Sequence, residues 1–202
     1  MSESGAATGP QRAEGRREQK KRETLLRITE AGMKLFIANG YEATTLDAIA
    51  AAAGISRRTF FYYFKSKDDI LLSLQASGAE AVIAAVMDEP LDRPPLDAVR
   101  NALLKVCATY EPDAMVVVDR LMLSSPTLLA RKQASYIVQE QALFAALTER
   151  WPNPERATAL HLVAMLSIGA MRLSIEAWRA EGRKRPVSEL VAEIFEILKA
   201  EV

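Results

Sequence analysis

The stretch LDAIAAAAGISRRTFFYYF, residues 46–64, constrains the fold of this chain more than any other part. It consists of two short helix-forming runs separated by Gly54-Ile55-Ser56, since glycine breaks a helix and a serine side chain caps the next one. Thr44 or Thr45 stands where it can cap the first run, which is rich in alanine. The pattern predicts a short helix, a tight Gly-containing turn and a second short helix from Arg57 to about Phe64.

The rest of the chain shows helical periodicity and no alternating strand pattern. A first helix ends at Asn39-Gly40, because glycine is common just past a helix C-terminus. Pro112, Pro126 and Pro154 suit the first turns of later helices, where a missing N–H has no cost. We expect the later helices over about 66–87, 96–109, 112–123, 126–150, 154–182 and 187–201, with Ser66 as the cap of the first of them. The predicted class is therefore all-α, with about nine helices.

The charge is unevenly distributed, although the formal net charge is zero. Residues 1–67 carry 12 Lys and Arg against 7 Asp and Glu, and the remainder carries 14 against 19. A basic front and an acidic back suggest that the front part meets a polyanion, with a chance asymmetry as the alternative.

Cysteine usage and hydropathy indicate the compartment. Cys107 is the only cysteine, which excludes an intrachain disulfide and fits a reducing cytoplasm. The first residues lack the apolar core of a signal peptide, and no apolar run approaches the length of a membrane span. We expect a cytoplasmic protein without a membrane partner.

Five consecutive aromatic residues, Phe60–Phe64, lie between Arg57-Arg58 and the cations Lys65 and Lys67. Phe60 and Phe64 are four residues apart and share a helix face, so we expect them to fill a small core with Phe36 and Ile49. The other three rings cannot all share that face. One alternative is that all five rings are core packing and the cations form only a solvated rim.

A helix-turn-helix places its second helix in the major groove of DNA, and the chemistry around that helix suits this role. Arg57 and Arg58 stand at its N-terminal end, where base edges and phosphates are within reach. Hydroxyl groups and one ammonium suit phosphate contacts, and two rings suit a thymine methyl or a sugar. The phosphate candidates are Thr44, Thr45, Ser56, Tyr63 and Lys67, and the ring candidates are Phe61 and Tyr62.

The segment ITEAGMKLFIANGYEATTLDAIAAAAGISRRTFFYYFKSKDDILL, residues 28–72, resembles the N-terminal domain of the TetR family of transcriptional repressors. The shared order is an apolar helix, Gly-Tyr, two Thr, Ala-Gly-Ile-Ser and an aromatic run ending in Tyr-Phe-x-Ser-Lys. The resemblance implies a double-stranded DNA operator as the partner. It makes Thr45, Thr59, Tyr63 and Lys67 phosphate binders and places Arg57, Arg58 and Tyr62 at operator-dependent positions. Phe61 stands where many relatives have Tyr, so a hydroxyl contact is absent there.

The same resemblance implies that the C-terminal helices bind a small effector and a second copy of the chain. The resulting division is a disordered tail over 1–17, a helix-turn-helix domain over 18–66, and an effector-binding and dimerisation domain over 67–202. The amphipathic last helix, with Leu190, Ile194 and Phe195 on its apolar face, supports a dimer interface made by the last two helices. These helices are alternatively ordinary core helices of a monomer.

The run DAMVVVDRLMLSSPTLLARKQ, residues 113–133, is the candidate effector region. It resembles the C-terminal domain of TetR members grouped with the mycofactocin regulator, which implies a small hydrophobic or acyl-CoA-like effector. Arg120 is either part of a solvent-facing stripe or a buried clamp for an anionic head group, and Arg131 has the same ambiguity. The expected ligand-binding residues are Tyr110, Met115, Arg120, Met122, Phe144, Met165 and Met171.

Other site chemistry is poorly supported by the sequence. His161 is the only histidine, and Cys107 alone is weak support for a metal site, so we expect no metal, no cofactor and no catalytic set. The leading hypothesis is a repressor with an N-terminal DNA-binding domain and a C-terminal effector-binding domain. Two alternatives are a helix-turn-helix dimer that senses nothing, and an all-α enzyme or carrier with a vestigial DNA-binding domain.

Overall fold

The computed structural model describes residues 10–201, with side chains from residue 15 onward. The prediction of an all-α fold is confirmed, because these residues form helices and no strand. The chain divides into two compact units, one ending at Ser73 and the other beginning at Leu74.

The first unit contains α1 (Pro10–Asn39), α2 (Leu46–Ala52), α3 (Arg57–Tyr63) and the start of α4 (Asp68–Asp88). Gly40 and Gly54 end α1 and α2 at φ values of 82° and 65°, a left-handed conformation that favours glycine. The helix α1 begins earlier than expected, so residues 10–17 of the anticipated tail are helical. Arg, Glu, Gln and Lys in this segment are strong helix formers, and Pro10 occupies the first position. Residues 1–9 of that tail lie outside the described residues.

The core of the first unit forms as the aromatic spacing predicted. Phe36, Ile49, Phe60 and Phe64 are all buried. The rings of Phe60 and Phe64 have centroids 5.9 Å apart. Gly32 of α1 allows a close approach, because a Cβ there would lie 2.9 Å from Ile70 Cδ1.

The second unit contains the remainder of α4 and five further helices. These are α5 (Pro95–Cys107), α6 (Pro112–Leu123), α7 (Pro126–Arg150), α8 (Ala157–Ala180) and α9 (Val187–Glu201). A short 3-10 turn, Pro154–Arg156, precedes α8, where one continuous helix was expected. The side chain of Asn153 caps that turn by accepting a hydrogen bond from the Glu155 N–H at 3.0 Å.

The core of the second unit forms where α8 packs against both α7 and α9, and α5 packs against α9. Its buried residues include Leu147, Leu160, Trp178 and Phe195. Phe195 is fully buried within the chain itself, which corrects its assignment to a face that meets a second copy.

Two helical stretches, Arg57–Asp88 and Pro154–Ala180, are long and apolar enough to cross a membrane by length and composition alone. This differs from the expectation that no run approaches that length. The pattern has an ordinary origin in the second stretch, since Leu160, Ala164 and Trp178 pack into the core of the second unit. The first stretch is divided by Phe64–Lys67 into two separate helices.

Candidate nucleic-acid interface and effector site

Two side-chain caps fix the start of α2 and of α3. The Thr45 hydroxyl accepts a hydrogen bond from the Ala48 N–H at 3.2 Å. The Ser56 hydroxyl oxygen accepts one from the Thr59 N–H at 3.1 Å and lies 2.8 Å from Thr59 Oγ1. These hydroxyls therefore cluster at the N-terminal ends of two short helices, where backbone N–H groups also favour a phosphate.

The outer face of α3 presents the side chains that sequence reasoning selected for base and sugar contacts. Arg58, Phe61 and Tyr62 are exposed, and Tyr62 is the most exposed of the large apolar or aromatic side chains at 74%. Within the described residues, Arg58 has no hydrogen-bond or ion-pair partner. Tyr63 is half-buried and meets Tyr62 edge-on, with ring centroids 5.1 Å apart. The helix thus offers one unpaired cation and a small aromatic surface to a binding partner.

Arg57 differs from Arg58 because it is already paired. Its Nη1 lies 3.0 Å and 2.8 Å from the two carboxylate oxygens of Asp47 in α2. Its guanidinium also lies 5.6 Å from the centre of the Phe61 ring. The pair joins α2 to α3 and reduces the positive charge that Arg57 offers to DNA.

Thr44 and Lys67 have structural roles that the sequence analysis did not anticipate. Thr44 is buried, and its hydroxyl donates to the carbonyl of Gly40 at 2.8 Å, so it is not placed for a phosphate. The Lys67 ammonium donates to the Tyr41 carbonyl at 2.7 Å and lies 4.3 Å from the Tyr41 ring centre. It also reaches the carbonyls of Glu42 and Thr44. Lys67 therefore stabilises the turn after α1, and the backbone carbonyls of that turn use the hydrogen-bond donors of its ammonium group.

The start of α4 also differs from the predicted cap. Ser66 was expected to cap this helix, but its buried hydroxyl oxygen has no hydrogen-bond partner among the described residues. Instead, Asp69 Oδ2 accepts hydrogen bonds from the backbone N–H groups of Lys65 at 2.8 Å and Ser66 at 3.1 Å. The helix begins at Asp68, so Lys67 lies just before it.

The structure does not bring the seven expected ligand-binding residues into one site. Phe144 and Met165 line a groove of about 340 Å³ between α7 and α8, together with Ala157, Thr158, His161 and Leu162. Met122 is buried, and Met115 and Met171 are partly buried against the core of the second unit. The Tyr110 hydroxyl lies against Gly78 of α4, where a Cβ would approach it to 2.9 Å. Arg120 is exposed, which favours the solvent-facing alternative over the buried clamp.

The residue before Arg120 is the one that points inward. Asp119 is buried, and its carboxylate accepts hydrogen bonds from two arginines. Arg179 Nε lies 2.8 Å from Oδ1, and Arg183 Nη2 lies 2.6 Å from Oδ2. Burial by itself raises the pKa of Asp119, but the hydrogen bonds from Arg179 and Arg183 outweigh it and lower that pKa below its ordinary value. Sequence reasoning missed this cluster, because its members are about 60 residues apart.

His161 forms part of the apolar groove. Its Nε2 lies 3.1 Å from Glu140 Oε1, and its ring stacks on Phe144 with centroids 4.5 Å apart. No group of three metal-ligating His, Cys, Asp or Glu side chains occurs in the part of the chain that the structure describes.

Two family models match this chain. Residues 28–74 match the model described as bacterial regulatory proteins, tetR family. Residues 93–202 match the model described as MftR C-terminal domain. The second match covers the helices α5 to α9.

The chain is similar to several known regulators. It is 34% identical over 124 residues to the HTH-type transcriptional regulator TcmR of Streptomyces glaucescens, covering 57% of this chain and 55% of that protein. It is 27% identical to a protein assigned as the mycofactocin biosynthesis transcriptional regulator MftR of Mycobacterium tuberculosis, covering 86% of this chain and 88% of that protein. Among solved structures, FadR of Thermus thermophilus, a TetR-family repressor in complex with lauroyl-CoA, matches with a TM-score of 0.54 at 26% identity. That match covers 86% of this chain and 92% of FadR.

Proposed function

The chain belongs to the tetR family of bacterial regulatory proteins, and we propose that it represses transcription as a homodimer that a small amphipathic effector releases from its operator. It is a helix-turn-helix, DNA-binding transcriptional regulator. The observation that carries the proposal is the outer face of α3, where Arg58, Phe61 and Tyr62 are exposed beside the capped ends of two helices.

The DNA contacts that we propose are of two kinds: contacts to phosphates, which position the protein on the duplex, and contacts to bases, which recognise the sequence. The N-terminal ends of α2 and α3, with Thr45, Ser56 and Thr59, suit phosphates, because backbone N–H groups and hydroxyls point outward there. Tyr63 adds a phenol at the edge of the same face. Arg58 and Tyr62 suit base edges in the major groove, and Phe61 suits a thymine methyl.

We propose that α8 and α9 carry the dimer interface. Leu166, Gly169 and Leu173 follow one another at helical spacing on α8, and both leucines are exposed. Apart from Gly169's chain neighbours and the nearby backbone of α8, no atom of the described residues lies within 4 Å of a Cβ built at Gly169, so this stripe is open to a second helix. Ile197 on α9 is also exposed, at 62%. Palindromic operators are read by two-fold symmetric dimers, which supports an interface of this kind.

The proposed effector is an amphipathic anion with a long apolar chain. The groove lined by Phe144, His161 and Met165 is mostly apolar and falls in the size range of ligand sites. Lauroyl-CoA is bound by FadR of Thermus thermophilus, the solved structure described above. Such a ligand releases operator DNA only if it binds the DNA-incompetent state more tightly. The helix α4 runs from the first unit into the second and is the proposed lever.

The test is fluorescence anisotropy with the DNA upstream of the gene for this chain and a scrambled duplex of equal length. We expect salt-dependent preference for the upstream DNA and its release by lauroyl-CoA, with coenzyme A as the control ligand. Operator binding that no amphipathic anion disturbs would favour a helix-turn-helix dimer that senses nothing. Equal affinity for both duplexes would remove the DNA-reading role and favour an all-α enzyme or carrier. We propose no catalytic activity.

A further inference from the structure

A small cleft between α7 and α8 carries an excess of positive charge. Among the described residues, four cations are grouped in and beside it, Lys132, Arg172, Arg179 and Arg183, together with two carboxylates, Asp119 and Glu176. Glu176 and Arg172 are exposed, whereas Asp119 and Lys132 are buried. Of the four cations only Lys132 is buried, and a buried charge costs free energy unless a counter-charge accompanies it.

The carboxylate of Asp119 is fully occupied by the two arginines. Arg179 donates through Nε and Nη2 to Oδ1, and Arg183 donates through Nε and Nη2 to Oδ2. Each oxygen thus accepts two hydrogen bonds. Asp119 therefore offers no further lone pair of good geometry to a third cation.

Lys132 is that third cation, and it is left without a partner. Its residue is only 8% exposed, yet within the described residues its ammonium has no hydrogen-bond or ion-pair partner. Burial lowers the pKa of Lys132 below its ordinary value, and the nearby Arg179 charge adds to this, while Asp119 opposes it. A charged side chain that is buried and unpaired is uncommon, because it normally pairs or coordinates an ion.

The cleft beside Lys132 has room for one polar group. Its volume is about 40 Å³, which is more than a single water molecule needs. Arg172 and Tyr136 both line the cleft, and the Arg172 guanidinium lies 5.1 Å from the centre of the Tyr136 ring. Leu129 and Ile175 line the same cleft and suit the first methylenes of an alkyl chain.

We infer that this cleft binds the anionic head group of the effector, a single carboxylate or phosphate, through Lys132 and Arg172. The inference deepens the proposed function and rests on it for its biological role. It replaces Arg120, which is exposed and lies on α6, as the residue that recognises the head group.

Isothermal titration calorimetry of the full chain with laurate, dodecyl phosphate and dodecanol tests the site and separates the two head groups. We expect at least one of the two anions to bind, and Lys132→Gln to weaken it by about tenfold or more, the value of one charge-assisted hydrogen bond. Dodecanol binding should not change in this variant. Arg120→Gln is the matched control, since it removes an exposed cation and should leave all three affinities unchanged.

A second measurement distinguishes a ligand site from a purely structural lysine. Lys132→Met removes an unpaired buried charge, so it should keep or raise the melting temperature of the ligand-free protein while it weakens anion binding. A lower melting temperature in Lys132→Met than in Arg120→Met would assign Lys132 to the fold and overturn the inference. So would the absence of binding by both anions, or equal affinities in the Lys132→Gln variant and the unmodified protein.

Operator binding without ligand keeps the two proposals separable. Lys132→Gln should bind operator DNA as the unmodified chain does. If anion binding depends on Lys132 but the protein does not prefer its upstream DNA, the repressor function would be rejected and the head-group site would stand. If laurate releases operator DNA from Lys132→Gln as it does from the unmodified protein, the repressor function would stand and the head-group site would be rejected.

Discussion

Arg57 of α3 and Asp47 of α2 form an ion pair in which both carboxylate oxygens lie within 3.0 Å of Arg57 Nη1. Asp47 and Arg57 are both more than half exposed, so the pair contributes little to stability, on the order of 0.5 kcal/mol. Its larger effect is on DNA binding, since it offsets one of the two arginine charges at the start of α3. Arg57 and Arg58 are adjacent in sequence, but only Arg58 is free to meet DNA.

Removing Asp47 should strengthen DNA binding in a salt-dependent way. Asp47→Ala frees the Arg57 guanidinium to neutralise one phosphate, which steepens the slope of log affinity against log salt by about one per subunit. Anisotropy titrations at salt concentrations between about 50 and 200 mM measure the slope of log affinity against log salt directly. Asp113→Ala, a removal of negative charge from α6, serves as the control. An unchanged slope would mean that Arg57 does not reach the DNA backbone.

Arg58 should select the operator sequence. Arg58→Ala is expected to lose about 1–3 kcal/mol at one position of each half-site and to relax the preference there. Binding to a panel of operators with single base-pair changes measures this effect. A uniform loss across the panel would identify Arg58 as a phosphate contact.

Lys67 should contribute to folding rather than to the salt dependence of DNA binding. Lys67→Ala leaves the Tyr41 carbonyl without its charged donor and should cost about 1–3 kcal/mol of unfolding free energy. Lys65→Ala is the matched control, because Lys65 is exposed and its backbone N–H, which the substitution keeps, carries its contact with Asp69. Urea unfolding followed by circular dichroism separates the two variants. Equal midpoints, together with a flatter salt slope for Lys67→Ala, would restore Lys67 as a phosphate binder.

Gly169 should separate folding from dimerisation. Gly169→Ala is expected to stabilise α8 by about 0.5–1 kcal/mol, since the helix interior gains a better helix former and no atom crowds the new Cβ. Gly169→Arg should fold but fail to dimerise, because a large charged side chain separates the two copies of α8. Urea unfolding measures the stability of Gly169→Ala, and light scattering at micromolar concentration measures the oligomeric state of Gly169→Arg. A dimeric Gly169→Arg variant would place the interface elsewhere.

Asp119 should make stability depend on pH in the acid range. The folded-state pKa of Asp119 lies below its unfolded value, so its contribution is present above about pH 4 and is lost as the pH falls through the folded pKa. Asp119→Asn should therefore destabilise the protein on the order of 2 kcal/mol at pH 7, because Arg179 and Arg183 lose their shared carboxylate. The difference from the unmodified chain should shrink towards pH 3. A constant difference across this range would contradict the assignment.

Much of the first unit follows from local sequence signals. Ser56, Gly54 and the spacing of Phe60 and Phe64 define the turn, the cap and the buried face within about twenty residues, and the structure confirms each. Such signals are strong because a cap, a left-handed glycine and a helix face each depend on near neighbours. The same local information determined the all-α class, through prolines in the first turns of helices and the 3.6-residue periodicity.

What local signals did not determine is which polar side chain turns inward. The sequence drew attention to Arg120, whereas the structure buries Asp119 and exposes Arg120. The sequence predicted that Lys67 and Thr44 bind DNA, whereas in the structure both donate hydrogen bonds to backbone carbonyls of the turn after α1. Phe195 fitted an interface pattern but fills the core of its own chain. The physical reason is that the groups packed around a charged or aromatic side chain determine whether it is buried or exposed. The partners of Asp119 lie on or just beyond α8, about 60 residues away, and only tertiary packing brings them together.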